Sequence, residues 1–222
     1  MVNHIDSDFY KMKFISLPTK NKALELVRET LPFLDIERGP WVAGGAARKI
    51  AQNCQLGWSD IDVFFPSKES FDWVKKYFED KKIMSMLDVP VAGHEATPRG
   101  HIVKLADRAT SIDSEFHVLN LQFSGKRFFF STEELFDDFD FTVCMFATDG
   151  ERMVCADTSI EDVKAKRLII SNPNKKPKRP KAARLAKYCE QGFTPGPGVI
   201  KAMLGVDCPV FYADEYLNSD EY

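Results

Sequence analysis

WVAGGAARKIAQNCQLGWSDIDVFF, residues 41–65, is the stretch on which the fold turns. Trp41 to Ala43 reads as a short strand running into the diglycine turn Gly44-Gly45. AARKIAQNC behind the turn reads as a short helix. SDIDVFFP then reads as a strand, stopped by Pro66. Side chains alternate along a strand, so Asp60 and Asp62 share one face and Ile61 and Val63 the other. Two rises of about 3.3 Å put the two aspartate Cα atoms about 6.6 Å apart. Carboxylates this close repel, which raises a pKa unless a cation lies between them. An all-oxygen site of this kind suits Mg²⁺, which keeps its other positions for water and phosphate oxygens. The glycines let a ligand approach the backbone closely. The helix start offers free N–H groups to an anion, and Arg48, one turn along, adds a candidate charge-assisted bond. Each half of this pattern is common as a bare turn or a solvated strand face. The strand–GG–helix–DxD order is much less so.

Working outward, residues 1–17 read as a lead-in strand or arm. Thr19 to Leu31 has helical periodicity, with Leu24, Val27 and Leu31 on one face and Asn21 as a candidate cap. Ser67 caps a helix whose buried stripe is Phe71, Val74 and Phe78. A loop rich in Gly, Pro and His covers 88–100. HIVKLA (101–106) and FHVLNLQF (116–123) read as strands. GKRFFF (125–130) reads as a turn and short strand, with Ser131 or Thr132 starting a helical turn. FDFTVCMFAT (139–148) reads as one apolar strand, and Ser159 to Lys166 as a short helix. NPNKKPKRPK (172–181) reads as a linker before the helix AARLAKYCEQGF. The last thirty residues show Pro-Gly turns and an acidic end. Helices interleaved with strands imply an α+β or α/β domain over 1–171. A basic linker, a helix and an acidic tail follow over 172–222.

Composition sets the outer limits. The 222 residues include 18 phenylalanines, ample for a core, and the net charge is −3, so nucleic-acid contact needs a local patch. The run Lys175, Lys176, Lys178, Arg179, Lys181, continued by Arg184 and Lys187, is such a patch; a solvated linker is the plainer reading of it. The five cysteines, at no CxxC spacing, read as reduced thiols of a cytoplasmic protein. No apolar run is long enough to span a membrane. The cluster Glu133, Glu134, Asp137, Asp138 reads as a solvated helix face, and His94, His101 and His117 have no ligand spacing. FFF at 128–130 reads as core or interface ahead of a base-stacking platform.

VAGGAARKIAQN…SDIDVFF resembles the GG…DxD signature of the polymerase-beta-type nucleotidyltransferase superfamily. In particular it resembles the head of bacterial poly(A) polymerases and CCA-adding tRNA nucleotidyltransferases. FDFTVCMFATDG is similar to that branch's RRDFTINALAYD strand, with Asp140 at the acid. RPKAARLAKYCEQGF is similar to its RxxRFAxxLGF helix, with Arg184 at the second arginine. The three matches fall in the family's order over roughly residues 40–193. The resemblance implies an α+β fold with a small mixed sheet and helices on one face. It implies a nucleoside triphosphate such as ATP, with Asp60 and Asp62 holding Mg²⁺ and Gly44, Gly45 and Ser59 around the phosphates. The implied chemistry is attack of an RNA, tRNA or other hydroxyl on the α-phosphate.

The chain departs from the family in three places. The family's third carboxylate belongs on a strand placed here at 117–123, which offers only Asn120 and Gln122. Asp140 is the preferred substitute, ahead of Asp113 and Glu115. Asp138 and Phe139 stand where the family has arginines. The family's later base-selecting and tRNA-binding segments find no match. A compact, phage-like transferase is therefore the expectation, and a catalytically degenerate nucleotide-binding or regulatory protein is the alternative.

Overall fold

The computed structural model describes residues 10–18, 22–54, 56, 60–80, 86–87, 101–106, 118–171 and 182–205. The elements run β1 (Met12–Ile15), α1 (Lys22–Thr30), β2 (Trp41–Ala43), α2 (Gly45–Ala51), β3 (Asp60–Phe64), α3 (Lys68–Asp80), β4 (Met86–Leu87), β5 (His101–Ala106) and β6 (Val118–Ser124). They continue with α4 (Thr132–Phe136), a 3-10 turn (Thr142–Cys144), β7 (Phe146–Thr148), β8 (Met153–Ala156), α5 (Asp157–Lys164), β9 (Arg167–Leu168), α6 (Ala182–Glu190), β10 (Thr194–Pro195) and α7 (Pro197–Leu204). The main sheet has the order β1-β8-β7-β2-β3-β6-β5-β4. It is mixed: β3 and β6 pair in parallel, and the other described pairs in it are antiparallel. Strands β9 and β10 form a separate parallel pair. This is the α+β architecture expected from the sequence.

Alternation divides the sheet into two faces. Val42, Ile61, Val63, Leu121, Phe123, Phe146 and Cys155 face the larger core, where they meet Leu24 and Val27 of α1, Ile50 of α2, and Val74 and Phe78 of α3. Tyr188, Phe193 and Val199 from the C-terminal segment belong to this same core. Trp41, Ala43, Ala147 and Val154 face a smaller core closed by Leu135 and Phe136 of α4. Caps expected from the sequence form: Ser67 Oγ accepts from the Ser70 N–H at 3.2 Å, and Ser131 Oγ from the Glu134 N–H at 3.3 Å. Asn21 lies outside the described residues.

Four segments differ from the sequence reading. FDFTVCMFAT is not one strand, because Thr142 is tethered out of the ladder. Its hydroxyl donates to Asp162 Oδ2 at 2.6 Å, its carbonyl accepts from Ser159 Oγ at 2.8 Å, and its N–H reaches the Ile169 carbonyl at 3.0 Å. Residues 141–148 are all buried, so no alternation marks the break. GKRFFF forms no strand: the Phe130 N–H donates to Glu134 Oε2 at 2.8 Å, turning the chain into α4. Strand β8 escapes sequence reading because both of its faces are buried, and the helix behind it begins at Asp157 instead of Ser159. In the tail, the Pro-Gly pair at 197–198 opens helix α7, with Pro197 at its first turn.

Candidate nucleotide and metal site

The site is built on the face of β3 turned away from the larger core. Ile61 and Val63 are fully buried, while Asp60 is exposed and Asp62 half-buried. Ala43 stands opposite Asp62 across β2, so the diglycine turn begins one residue beyond the acid pair. Gly44 has φ 77° and ψ −136°, a conformation closed to residues with a side chain, which turns the chain sharply into α2. Its N–H is held by the Phe146 carbonyl at 2.9 Å, and its carbonyl accepts from the Arg48 N–H at 3.0 Å. The first turn of α2 has N–H groups without intrahelical acceptors.

Electrostatics mark Asp62 as the strained member. Burial pushes its carboxyl up to about 6, and the neighbouring Asp60 adds to the rise. The positive charges of Arg184 and Lys187 act against it. Both cations lie on α6, which reaches the site from the far end of the chain. Arg184 ion-pairs with Asp140 at 3.3 Å and approaches Cys144 Sγ at 3.9 Å. The Cys144 thiol in turn meets the Tyr188 hydroxyl at 2.8 Å, in the same buried seam.

A magnesium ion fits this arrangement. A carboxyl pushed up by burial and by a neighbouring acid gains from a hard cation, and Mg²⁺ commonly takes one or two carboxylates plus phosphate oxygens. Among the described residues, no group of three or more His, Cys, Asp or Glu side chains is arranged to hold a metal. Asp140 therefore does not gather with Asp60 and Asp62 into such a group. On the neighbouring strand, register places Asn120 beside Asp60 and Gln122 beside Asp62. Ser59, Asp113, Glu115 and the basic run 175–181 lie outside the described residues.

Arg48 does not line the diglycine turn. Its guanidinium is buried against the C-terminal segment, 5.2 Å from the Tyr188 ring centroid and 4.9 Å from that of Phe193. Its Nη2 donates to Gln191 Oε1 at 2.7 Å, while Nε and Nη1 have no hydrogen-bond partner among the described residues. No local signal announces Gln191 as its partner, 143 positions away. The sequence reading also passed over the half-buried rings of Phe64 and Phe139, whose centroids are 5.7 Å apart at 72°. The alternation that pairs Asp60 with Asp62 puts Phe64 on their face, so this signal was available.

The fold is one shared with nucleotidyltransferases of known structure. A tRNA-processing enzyme (apo form I) superposes with a TM-score of 0.51 at 16% identity, over 86% of this chain and 48% of the other. The Bacillus stearothermophilus CCA-adding enzyme in complex with CTP gives 0.50 at 16% identity, over 82% and 42%. A tRNA-processing enzyme in its complex 3 gives 0.50 at 15%, over 81% and 45%. The chain thus spans less than half the length of these proteins. The chain belongs to the Gabija anti-defense 2 family, whose model matches residues 17–166. No curated protein sequence matches it. Among the described residues, no helix is long and apolar enough to cross a membrane.

Proposed function

We propose that this protein is a Mg²⁺-dependent nucleotidyltransferase, moving a nucleotide from a nucleoside triphosphate to an acceptor hydroxyl. The observation that carries the reading is the acid pair on the outward face of β3, one residue from a diglycine turn, with Ile61 and Val63 locked in the core behind it. In this reading Asp60 and Asp62 hold the metal. Gly44 and Gly45 let phosphates approach the backbone, together with Ser59. Arg184 and Lys187 add positive charge near the phosphates, as their effect on Asp62 supports. The bound ion would supply charge neutralisation of the triphosphate. The acceptor oxygen bonds to the α-phosphorus, the bond to the bridging oxygen breaks, pyrophosphate leaves, and the hydroxyl proton passes to solvent. Arg48 contributes through the packing of α2 on the C-terminal segment, and Asp140 through its pair with Arg184.

Two acceptor classes are supported, one by each comparison. Resemblance to tRNA-processing enzymes favours RNA or tRNA, reached through the basic segment 175–187. The family description favours a component of the Gabija defence system, met in the cytoplasm. The test is to incubate the protein with labelled nucleoside triphosphates, Mg²⁺, cellular RNA and purified Gabija proteins. Label is expected in one acceptor class, with Asp60→Ala reducing it by about 100-fold or more, the scale of losing a charge-stabilising group at a phosphoryl centre. No label in any acceptor, or an unaffected Asp60→Ala variant, ends the transferase reading. A nucleotide-binding protein without catalysis is the second reading, favoured by the strand register, which pairs Asp60 and Asp62 with Asn120 and Gln122 instead of an acid.

A further inference from the structure

Beside the acid pair stands an apolar wall that neither the metal nor the phosphates use. Phe64 lies two residues beyond Asp62 on the same face of β3, half-buried. Phe139 stands edge-on to it, also half-buried. The Phe139 Cζ lies 3.9 Å from where a Cβ on Gly44 would stand, so the ring borders the diglycine turn itself. Phe136 stacks against Phe139 at 6.0 Å and 28°, supporting one side of the ring. The backbone there is fixed as well: the Phe139 N–H donates to the Phe136 carbonyl at 3.0 Å, and Ser171 Oγ donates to the Phe139 carbonyl. The neighbouring Asp138 is occupied by Arg127. A rigid, uncharged ring on the border of a charged site suits the part of a nucleotide that carries no charge.

We propose that Phe139 packs against the nucleoside moiety of the bound nucleotide, with Phe64 and Phe136 holding its ring in place. The proposal rests on the reading of Asp60, Asp62 and the diglycine turn as the triphosphate site. An aromatic face accepts a sugar edge or any base, since every base has a π-face. Preference among the four nucleotides is therefore weak at this contact.

Titration calorimetry on the full chain with Mg²⁺ separates the contributions, using a non-hydrolysable ATP analogue and inorganic tripolyphosphate. Phe139→Leu keeps apolar volume against Phe64 and Phe136, and Phe139→Tyr keeps the ring. Phe139→Leu is expected to weaken the analogue about 10-fold, within the range of a lost aromatic stack. Tripolyphosphate affinity is expected to stay within about twofold, and Phe139→Tyr to bind the analogue like wild type. Equal loss of both ligands, or loss of neither, overturns the proposal. If tripolyphosphate binding depends on Asp62 while Phe139→Leu fails to distinguish the ligands, the Phe139 contact alone falls. If wild type binds neither ligand, the triphosphate site falls and takes the contact with it.

Discussion

The two faces of β3 are made by neighbouring residues and do opposite things. Ile61, Val63 and Phe65 are fully buried against α2, α3 and β6. Asp60, Asp62 and Phe64 are left exposed or half-buried on the other side. The first stripe contributes burial free energy, about 1.5–3 kcal/mol for each large apolar side chain. The second stripe works against folding, because it holds one carboxylate away from water beside another. The contrast teaches that the site is rigid because the stripe behind it is packed. The packed residues behind β3 fix the direction in which its two acids point.

Breaking the packed stripe has the larger effect. Ile61→Ala empties a fully buried position and should cost about 2–5 kcal/mol, read as a shift of the urea midpoint. A cost below about 1 kcal/mol would mean that the strand is not anchored as described. Relieving the acid stripe has the smaller effect, of opposite sign. Burial and the neighbouring Asp60 push the folded Asp62 carboxyl up to about 6, above its ordinary value of 3.8, so the folded state holds that proton to higher pH than the unfolded one. Stability of the metal-free protein is therefore highest below pH 4 as far as this group is concerned. It falls as pH rises through about 4 to 6 and levels off above. The loss approaches about 3 kcal/mol. Asp62→Asn should flatten that part of the pH–stability curve and stabilise the metal-free protein at pH 7 to 8. A curve unchanged by Asp62→Asn would remove the electrostatic case for a cation there.

The central strand was legible because its two faces differ. Ile61 and Val63 against Asp60 and Asp62 is a period-2 pattern with chemistry attached, and the diglycine before it leaves only a tight turn. The order of elements left α+β and α/β open, and the family resemblance carried by this segment pointed to α+β. Strand β8 and the 3-10 turn at Thr142–Cys144 were not legible, since buried surroundings on both faces erase periodicity. The site's outer parts were read by residue type. Arg184 pairs with Asp140, and its charge acts on Asp62. Arg48 is drawn instead into Tyr188, Gln191 and Phe193, partners that only the fold brings near. The acid pair's aromatic neighbour Phe139 was visible only as a departure from the family pattern, and its place beside Gly44 needed the structure.

The most direct measurement is calorimetric binding of a non-hydrolysable nucleoside triphosphate with and without Mg²⁺, for wild type and for the Asp60→Asn/Asp62→Asn double variant. The account predicts tight binding by wild type only when Mg²⁺ is present, and no metal-dependent gain in the double variant. Equal affinity with and without the metal, or a double variant that still responds to it, would contradict the claim that these two carboxylates hold the ion over the triphosphate.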